Sequence, residues 1–350
     1  MKLLGYSRTV DRFYIYVDDV PLVGHIAFGI VDRGTNVLQI RPTTLCRLNC
    51  IFCSVDAGPR SRRRLSEYVV DPRHLIRWVK HVVRTRGDVD ECLIDGVGDP
   101  ITYPWIVELV KGLKEEARVS RVALETHGAG LTLDLVKRLE EAGLDRINLS
   151  IDTLDPEKAR YLQGVEWFDV REVARVAEFI ARETSIDLHL TPLWIPGIND
   201  EDIERIVEWG LRIGAGKRFP PFGIQKYEVH KYGRKVPGAR EISWSEFWKF
   251  LEKLERKYGV DLVYWKLVDR FGMRKVGKRY SVGYKVGDKL YVTVVAPGWL
   301  RGEVVAVDRK GSTLITVVGV NRSELETLIG RSVRVKIIED KDGIYIARRC

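Results

Sequence analysis

Three cysteines within eight residues, Cys46-Arg-Leu-Asn-Cys50-Ile-Phe-Cys53, form the densest set of soft metal ligands in this chain. Three thiolates on one short loop can each hold one iron of a cubane and leave the fourth iron open. An open coordination position lets a metal bind substrate or cofactor, as it does in catalytic zinc sites. Zinc itself is the alternative. A tetrahedral zinc needs a fourth ligand, normally from a second nearby pair, and the sequence offers none. Cys92 falls in an apolar run and reads as a small buried hydrophobe, while Cys350 is the last residue.

Further polar and glycine residues gather at the ends of strand-like runs: Gly96-Val97-Gly98-Asp99-Pro100, Thr126-His127-Gly128, Ser150, Asp152 and Leu193-Trp-Ile-Pro-Gly-Ile-Asn199. Each also has an ordinary reading. Gly-x-Gly after a strand commonly serves a tight turn. Ser150 or Asp152 can cap a following segment. His127 and His189 sit among strand residues and can be satisfied core histidines. Tyr103, just past Asp99-Pro100, borders the cysteine loop or simply opens a helix with its following proline.

These residues need a scaffold. Ranges 91–95, 121–125, 146–151, 187–193 and 222–226 predict strands. Ranges 72–86, 105–117, 133–142, 170–184, 200–213 and 243–257 predict helices, the last opened by a Ser243-x-x-Glu246 capping box. Residues 11–41 read as short strands broken by turns, with 36–44 feeding the cysteine loop. Strands that are apolar throughout belong to a parallel sheet covered by helices. The class is α/β: a partial (βα)6 barrel whose functional residues lie at the carboxyl ends of its strands. From about residue 280 the pattern shifts to short alternating strands with one helical stretch at 321–329, predicting a small five-stranded barrel of the oligonucleotide-binding or TRAM type. The expected division is a β extension over 1–36, the partial barrel over 37–270 and the small barrel over 280–350.

Lys and Arg number 58 against 49 Asp and Glu, a net charge of +9 that favours a polyanionic partner. A charge-rich thermophile surface gives the same balance. From Arg274 onward basic residues are about twice as frequent as acidic ones, with Tyr280, Tyr284, Tyr291 and Trp299 among them. Cations neutralise phosphates and aromatics stack bases, although such aromatics also fill a small barrel's own core. Arg60-Ser-Arg-Arg-Arg64 suits phosphate or an acidic peptide, or is a solvated loop. No run approaches the roughly 20 apolar residues of a membrane span, and the first residues break into charge too early for a secretory signal. The expected location is cytoplasmic, with no membrane partner.

Cys-x3-Cys-x2-Cys with Phe52 before its last cysteine resembles the signature of the radical S-adenosylmethionine (SAM) superfamily. The other landmarks follow in order: Gly96–Pro100 resembles the family's GGEP segment with Asp99 in place of Glu. Thr126-His127-Gly128, Asn148–Asp152 and Leu193–Asn199 resemble its third, fourth and fifth strand ends. The resemblance implies a [4Fe–4S] cluster on Cys46, Cys50 and Cys53, with SAM chelating the open iron. It implies that Gly96 and Gly98 admit the methionyl amine beside Asp99, and that Ser150 and Asp152 bond the ribose. Leu193 and Ile195 would wall the adenine, with Phe52 and Thr126 among the other cofactor contacts and Tyr103 as a catalytic candidate. It implies reductive cleavage of SAM to methionine and a 5′-deoxyadenosyl radical, fed by a donor such as ferredoxin or flavodoxin.

Gly24-His-Ile-Ala-Phe-Gly29, Asp32-Arg-Gly-Thr-Asn36, Cys53-Ser-Val-Asp-Ala-Gly-Pro59 and Gly223-Ile-Gln-Lys-Tyr227 resemble blocks of the methanogenesis-marker radical SAM methylases. That resemblance implies cobalamin and methylation of an arginine carbon in a partner protein. Those methylases carry extra iron-binding cysteines that this chain lacks, and methylthiotransferases likewise need three more. The expectation is C-methylation or a related modification of a macromolecule, RNA (tRNA or rRNA) slightly ahead of protein. A cobalamin-dependent arginine-type protein methylase is one alternative, and a non-catalytic iron–sulfur redox or binding protein the other.

Overall fold

A computed structural model describes all 350 residues. They form two compact units, one of Met1–Cys46, Pro59–Ser120 and Lys275–Cys350, the other of Arg47–Gly58 and Arg121–Arg274.

In the first unit, Arg12–Val17 lies between Lys2–Ser7, to which it runs antiparallel, and Ser66–Val70, to which it runs parallel. Val37–Arg41 pairs antiparallel with Gly29–Asp32 and parallel with Glu91–Ile94. Helix Pro72–Arg86 opens at Asp71, whose carboxylate accepts the His74 N–H at 2.7 Å, with a proline in the first turn. Its apolar stripe, Leu75, Ile76, Val79 and Val82, is buried, and Ile76 meets helix Ile106–Glu115 at Gly112.

The carboxyl-terminal strands Lys289–Pro297, Glu303–Asp308, Leu314–Val318, Ile346–Arg349 and Ser332–Glu339 close into a barrel in that order. Period-two alternation sends Val292, Val294, Val335 and Ile337 inward and Lys289, Tyr291, Arg334 and Lys336 to solvent. Leu65 belongs to the same buried core, and Phe13 packs against it. Of the expected barrel aromatics, Trp299 is buried and Tyr280 and Tyr284 partly so, whereas Tyr291 is 44% exposed.

In the second unit Arg121–Thr126, Arg146–Leu149 and Asp187–Leu190 pair in parallel. Their interiors, such as Leu124, Ile147 and Leu188, are fully buried because helices follow each strand. Those helices are Leu133–Glu141, Pro156–Gln163 with Val170–Glu183, and Asp200–Ile213.

Several sequence expectations need correction. The strand expected over 187–193 breaks at Pro192 into Asp187–Leu190 and Leu193–Trp194. The one expected over 222–226 shrinks to Gln225–Lys226, parallel to Leu193–Trp194, plus a bridge from Leu190 to Phe222, its partner strand being interrupted at Pro192. The 321–329 helix is only a turn at Arg322–Glu324 followed by Leu325–Leu328. Helices Pro156–Gln163 and Tyr264–Arg270 and strands Lys2–Ser7 and Ser66–Val70 were not anticipated. No helix is long and apolar enough to cross a membrane.

Candidate cofactor site

Cys46 belongs to the first unit, and Cys50 and Cys53 belong to the second. In the first unit the approach to Cys46 is clamped by backbone. The Asp99 N–H donates to the Leu45 carbonyl at 2.9 Å, and the Thr102 hydroxyl donates to the same oxygen at 3.0 Å. A Cβ on Gly98 would stand 2.2 Å from that carbonyl and 2.4 Å from the Thr44 carbonyl, so only glycine fits. Gly96 faces the Thr43 carbonyl at 3.2 Å by the same measure. The Asp99 carboxylate accepts the Ile101 N–H at 3.2 Å and fixes the turn.

A buried arginine ties these pieces together. Arg64 is wholly inaccessible and donates to the Thr44 carbonyl at 2.7 Å, to the Val97 carbonyl and to Glu67 at 3.1 Å. Glu67 also accepts from the Thr44 hydroxyl at 2.6 Å and from Arg12 at 3.2 Å. A buried carboxylate with two guanidinium partners and a hydroxyl satisfies the rule that interior charge must be paired. The Arg64 guanidinium also lies 5.4 Å from the centre of the Trp299 ring. Tyr103 is buried, its hydroxyl donates to the Val70 carbonyl at 2.5 Å, and burial pushes its pKa up.

In the second unit, helix Pro156–Gln163 holds the cysteine loop. Its Gln163 and Leu162 carbonyls accept the Asn49 and Ile51 N–H groups at 3.0 and 2.9 Å. These are helix-terminal acceptors that would otherwise lack partners. Gly58, at φ +96°, closes the loop where a Cβ would stand 1.8 Å from the Leu48 carbonyl. Arg234 braces it from a distant segment, donating to Asp56 at 2.8 Å, to the Cys50 carbonyl at 2.9 Å and to the Ala57 carbonyl. The Cys53 sulfur accepts the Ala57 N–H at 3.1 Å. Cys50 is buried, and none of the cysteines is in a disulfide.

The strand-end residues form one connected set. Asp152 is buried and accepts the Leu193 N–H at 2.8 Å and the Gln163 amide at 3.1 Å. Burial raises its affinity for a proton. Asn199, fully buried, donates to the Asp152 and Leu193 carbonyls at 3.0 and 2.8 Å and accepts the Ile195 N–H at 2.7 Å. Ser150 shares a hydrogen bond with Thr191 at 3.2 Å, and Thr126 accepts the Gly128 N–H at 2.9 Å. The Phe52 ring lies 6.2 Å from that of His127. His189 is buried against the Pro220 carbonyl at 2.7 Å, the satisfied core histidine.

No three His, Cys, Asp or Glu side chains converge as a single-ion site requires. The thiolates of a cubane each take a different iron and need not meet at one point. Three disulfide-free cysteines, one already accepting a backbone N–H, fit the donor set of such a cluster. Nothing in the sequence marks Glu67, Gln163 or Arg234 as site residues, and Arg64, expected in a phosphate-binding or solvated loop, is instead buried against Glu67 and two backbone carbonyls.

Comparison with known proteins agrees with this geometry. The model of the radical SAM superfamily matches residues 40–210. An uncharacterized protein of Methanocaldococcus jannaschii is 35% identical over 97% of this chain and 82% of its own length. A GTP 3′,8-cyclase of Chlorobaculum tepidum is 31% identical, but over only 60% of each chain. The probable GTP 3′,8-cyclase of Methanocaldococcus jannaschii is 30% identical over 57% of this chain and 63% of its length. Streptococcus suis SuiB, solved bound to S-adenosylmethionine, shares the fold with a TM-score of 0.50 at 19% identity, covering 65% of this chain and 50% of its own. Through residues 40–210 the chain belongs to the radical SAM superfamily, a family that implies a [4Fe–4S] cluster and SAM.

Proposed function

We propose that this enzyme directs radical SAM chemistry at a C–H bond of RNA, with C-methylation as the outcome. The observation that carries the reading is on the outer face of the carboxyl-terminal barrel. Lys289 lies opposite Lys336, and Lys336 lies opposite Arg348, so three cations stand abreast on three adjacent strands. Beside them Tyr291 lies opposite Arg334, and Arg309 sits 4.6 Å over the exposed Tyr291 ring. Like charges directly opposite on a sheet destabilise it, by roughly 0.2–1 kcal/mol a pair. A folded surface that carries such a row is suited to a polyanion, and the exposed tyrosine supplies a stacking face for a base.

When bound, the cluster supplies the electron and SAM the carbon radical. The chain's own residues hold the cysteine loop and bury Asp152.

Salt-titrated binding of tRNA and rRNA fragments tests the reading. Affinity should fall steeply with salt, and Lys289→Glu with Lys336→Glu and Arg348→Glu should remove most of it and flatten the slope. Charge reversal is preferable to deletion, because the barrel shares its core with Leu65 and Phe13. Salt-independent, weak RNA binding by the intact protein would overturn the reading.

The relatives named GTP 3′,8-cyclase favour a second reading, a free purine nucleotide as substrate, although the chain spans only about 60% of their length. Cobalamin-dependent methylation of a protein is a third. The blocks that suggested it pack structurally: Gly24 fits against Thr313 and Leu314, and Gly223 against His189. A cobalamin-loaded protein indifferent to RNA would favour it.

A further inference from the structure

Gln163 is 97% buried, and its side chain joins two groups that lie far apart in sequence. Its oxygen is 2.8 Å from the Cys50 sulfur and its nitrogen 3.1 Å from an Asp152 oxygen. The backbone locks it there, since the same residue's carbonyl accepts the Asn49 N–H. Gly164, at φ +64°, then turns the chain where a Cβ would stand 2.2 Å from the Asn49 carbonyl.

With Cys50 a thiol this arrangement is satisfied: S–H donates to the amide oxygen, and the amide N–H donates to the carboxylate. A ligating thiolate has no proton to donate, and an amide oxygen facing it would repel it. The oxygen and nitrogen of an amide are nearly isosteric, so a half-turn preserves both contacts. It places N–H on the sulfur and oxygen on Asp152, which must then carry a proton to donate.

We propose that Gln163 is a positioning residue for the cluster, donating N–H to the Cys50 sulfur while held in that orientation by a protonated Asp152. The proton balance closes. Cys50 gives up one proton on ligation, Asp152 gains one, and the buried trio keeps a single negative charge in both states. That avoids placing a second uncompensated charge in the interior. Towards Asp152, helix Pro156–Gln163 offers only the Gln163 amide, and strand Leu193–Trp194 offers the Leu193 N–H. Asn199 bonds the Asp152 backbone carbonyl, and the nearby ionisable group is His127. His127, the Leu193 N–H and the Gln163 amide each favour the carboxylate, and burial, the larger influence, favours the protonated acid. The inference rests on the cluster and is independent of the RNA reading.

The test is the reduction midpoint potential of reconstituted full-length protein, measured without SAM turnover, with iron content counted in parallel. An N–H donor to a ligand sulfur stabilises the more negative, reduced cluster. Gln163→Leu should therefore bind iron but show a more negative potential. Asp152→Asn, whose amide donates from the same place as the protonated acid, should keep the wild-type potential. The wild-type potential should fall as rising pH deprotonates Asp152, and that of Asp152→Asn should stay level. An unchanged potential in iron-loaded Gln163→Leu overturns the proposal. If that variant fails to fold, an Asp152→Asn potential as pH-dependent as the wild type's overturns it equally. Wild-type protein that takes up no iron would instead sink the cluster reading itself.

Discussion

Gly98 and Leu45 meet backbone to backbone, with the position of a Gly98 Cβ only 2.2 Å from the Leu45 carbonyl oxygen. The glycine thus serves the approach to Cys46 directly, whatever it also admits of SAM. Gly98→Val should cost most of the bound iron together with SAM affinity. Gly96→Ala, at 3.2 Å from its nearest neighbour, should cost much less. Full iron content in Gly98→Val, counted per chain, would show that the contact is dispensable.

Replacing Cys46, Cys50 or Cys53 by Ala should abolish the cluster's absorption in anaerobically reconstituted protein. Cys92→Ala should retain it, because Cys92 is fully buried and burial pushes its thiol pKa up. Its cost should be one of packing, on the order of 1 kcal/mol. Loss of the spectrum in that variant would place Cys92 in the cofactor site.

Arg64→Met should destabilise the protein by about 3–5 kcal/mol, as expected when one partner of a buried ion pair is removed. Glu67 would then keep only Arg12 and the Thr44 hydroxyl. The double variant Arg64→Met with Glu67→Gln should recover part of the loss. Denaturant unfolding measures both, and a single-variant cost below about 1 kcal/mol would contradict the assigned network.

His25 and His189 are buried neutral, their pKa values lowered to about 3 chiefly by burial. An unfolded histidine takes its proton near pH 6.5. Between those values the unfolded chain binds more protons than the folded one, so stability falls as pH drops from about 6.5 to about 3. His189→Phe should flatten that decline in denaturant midpoints across pH. An equally steep profile in the variant would show that His189 is not the group responsible.

The cysteine motif and the order of strand ends were legible because each is local, a few residues of fixed type after an apolar run. The support of the loop was not. Gln163 meets Cys50 across 113 residues and Arg234 meets it across 184, contacts that no spacing rule reports. Helix Pro156–Gln163 could have been found from Asp155-Pro156 at its start and Gly164 at its end. At eight residues it is too short to declare a 3.6-residue period. The strand expected at 222–226 is only partly realised, since Gln225–Lys226 pairs with Leu193–Trp194 while Phe222 makes a single bridge to Leu190.

The most direct measurement is 5′-deoxyadenosine release from anaerobically reconstituted, full-length protein given SAM and reductant, with and without tRNA or rRNA fragments. The account predicts slow release that requires Cys46, Cys50 and Cys53. RNA should accelerate it, and charge reversal at Lys289, Lys336 and Arg348 should abolish the acceleration alone. Iron-loaded protein that forms no 5′-deoxyadenosine would contradict the enzyme itself, and release indifferent to RNA would contradict its proposed substrate.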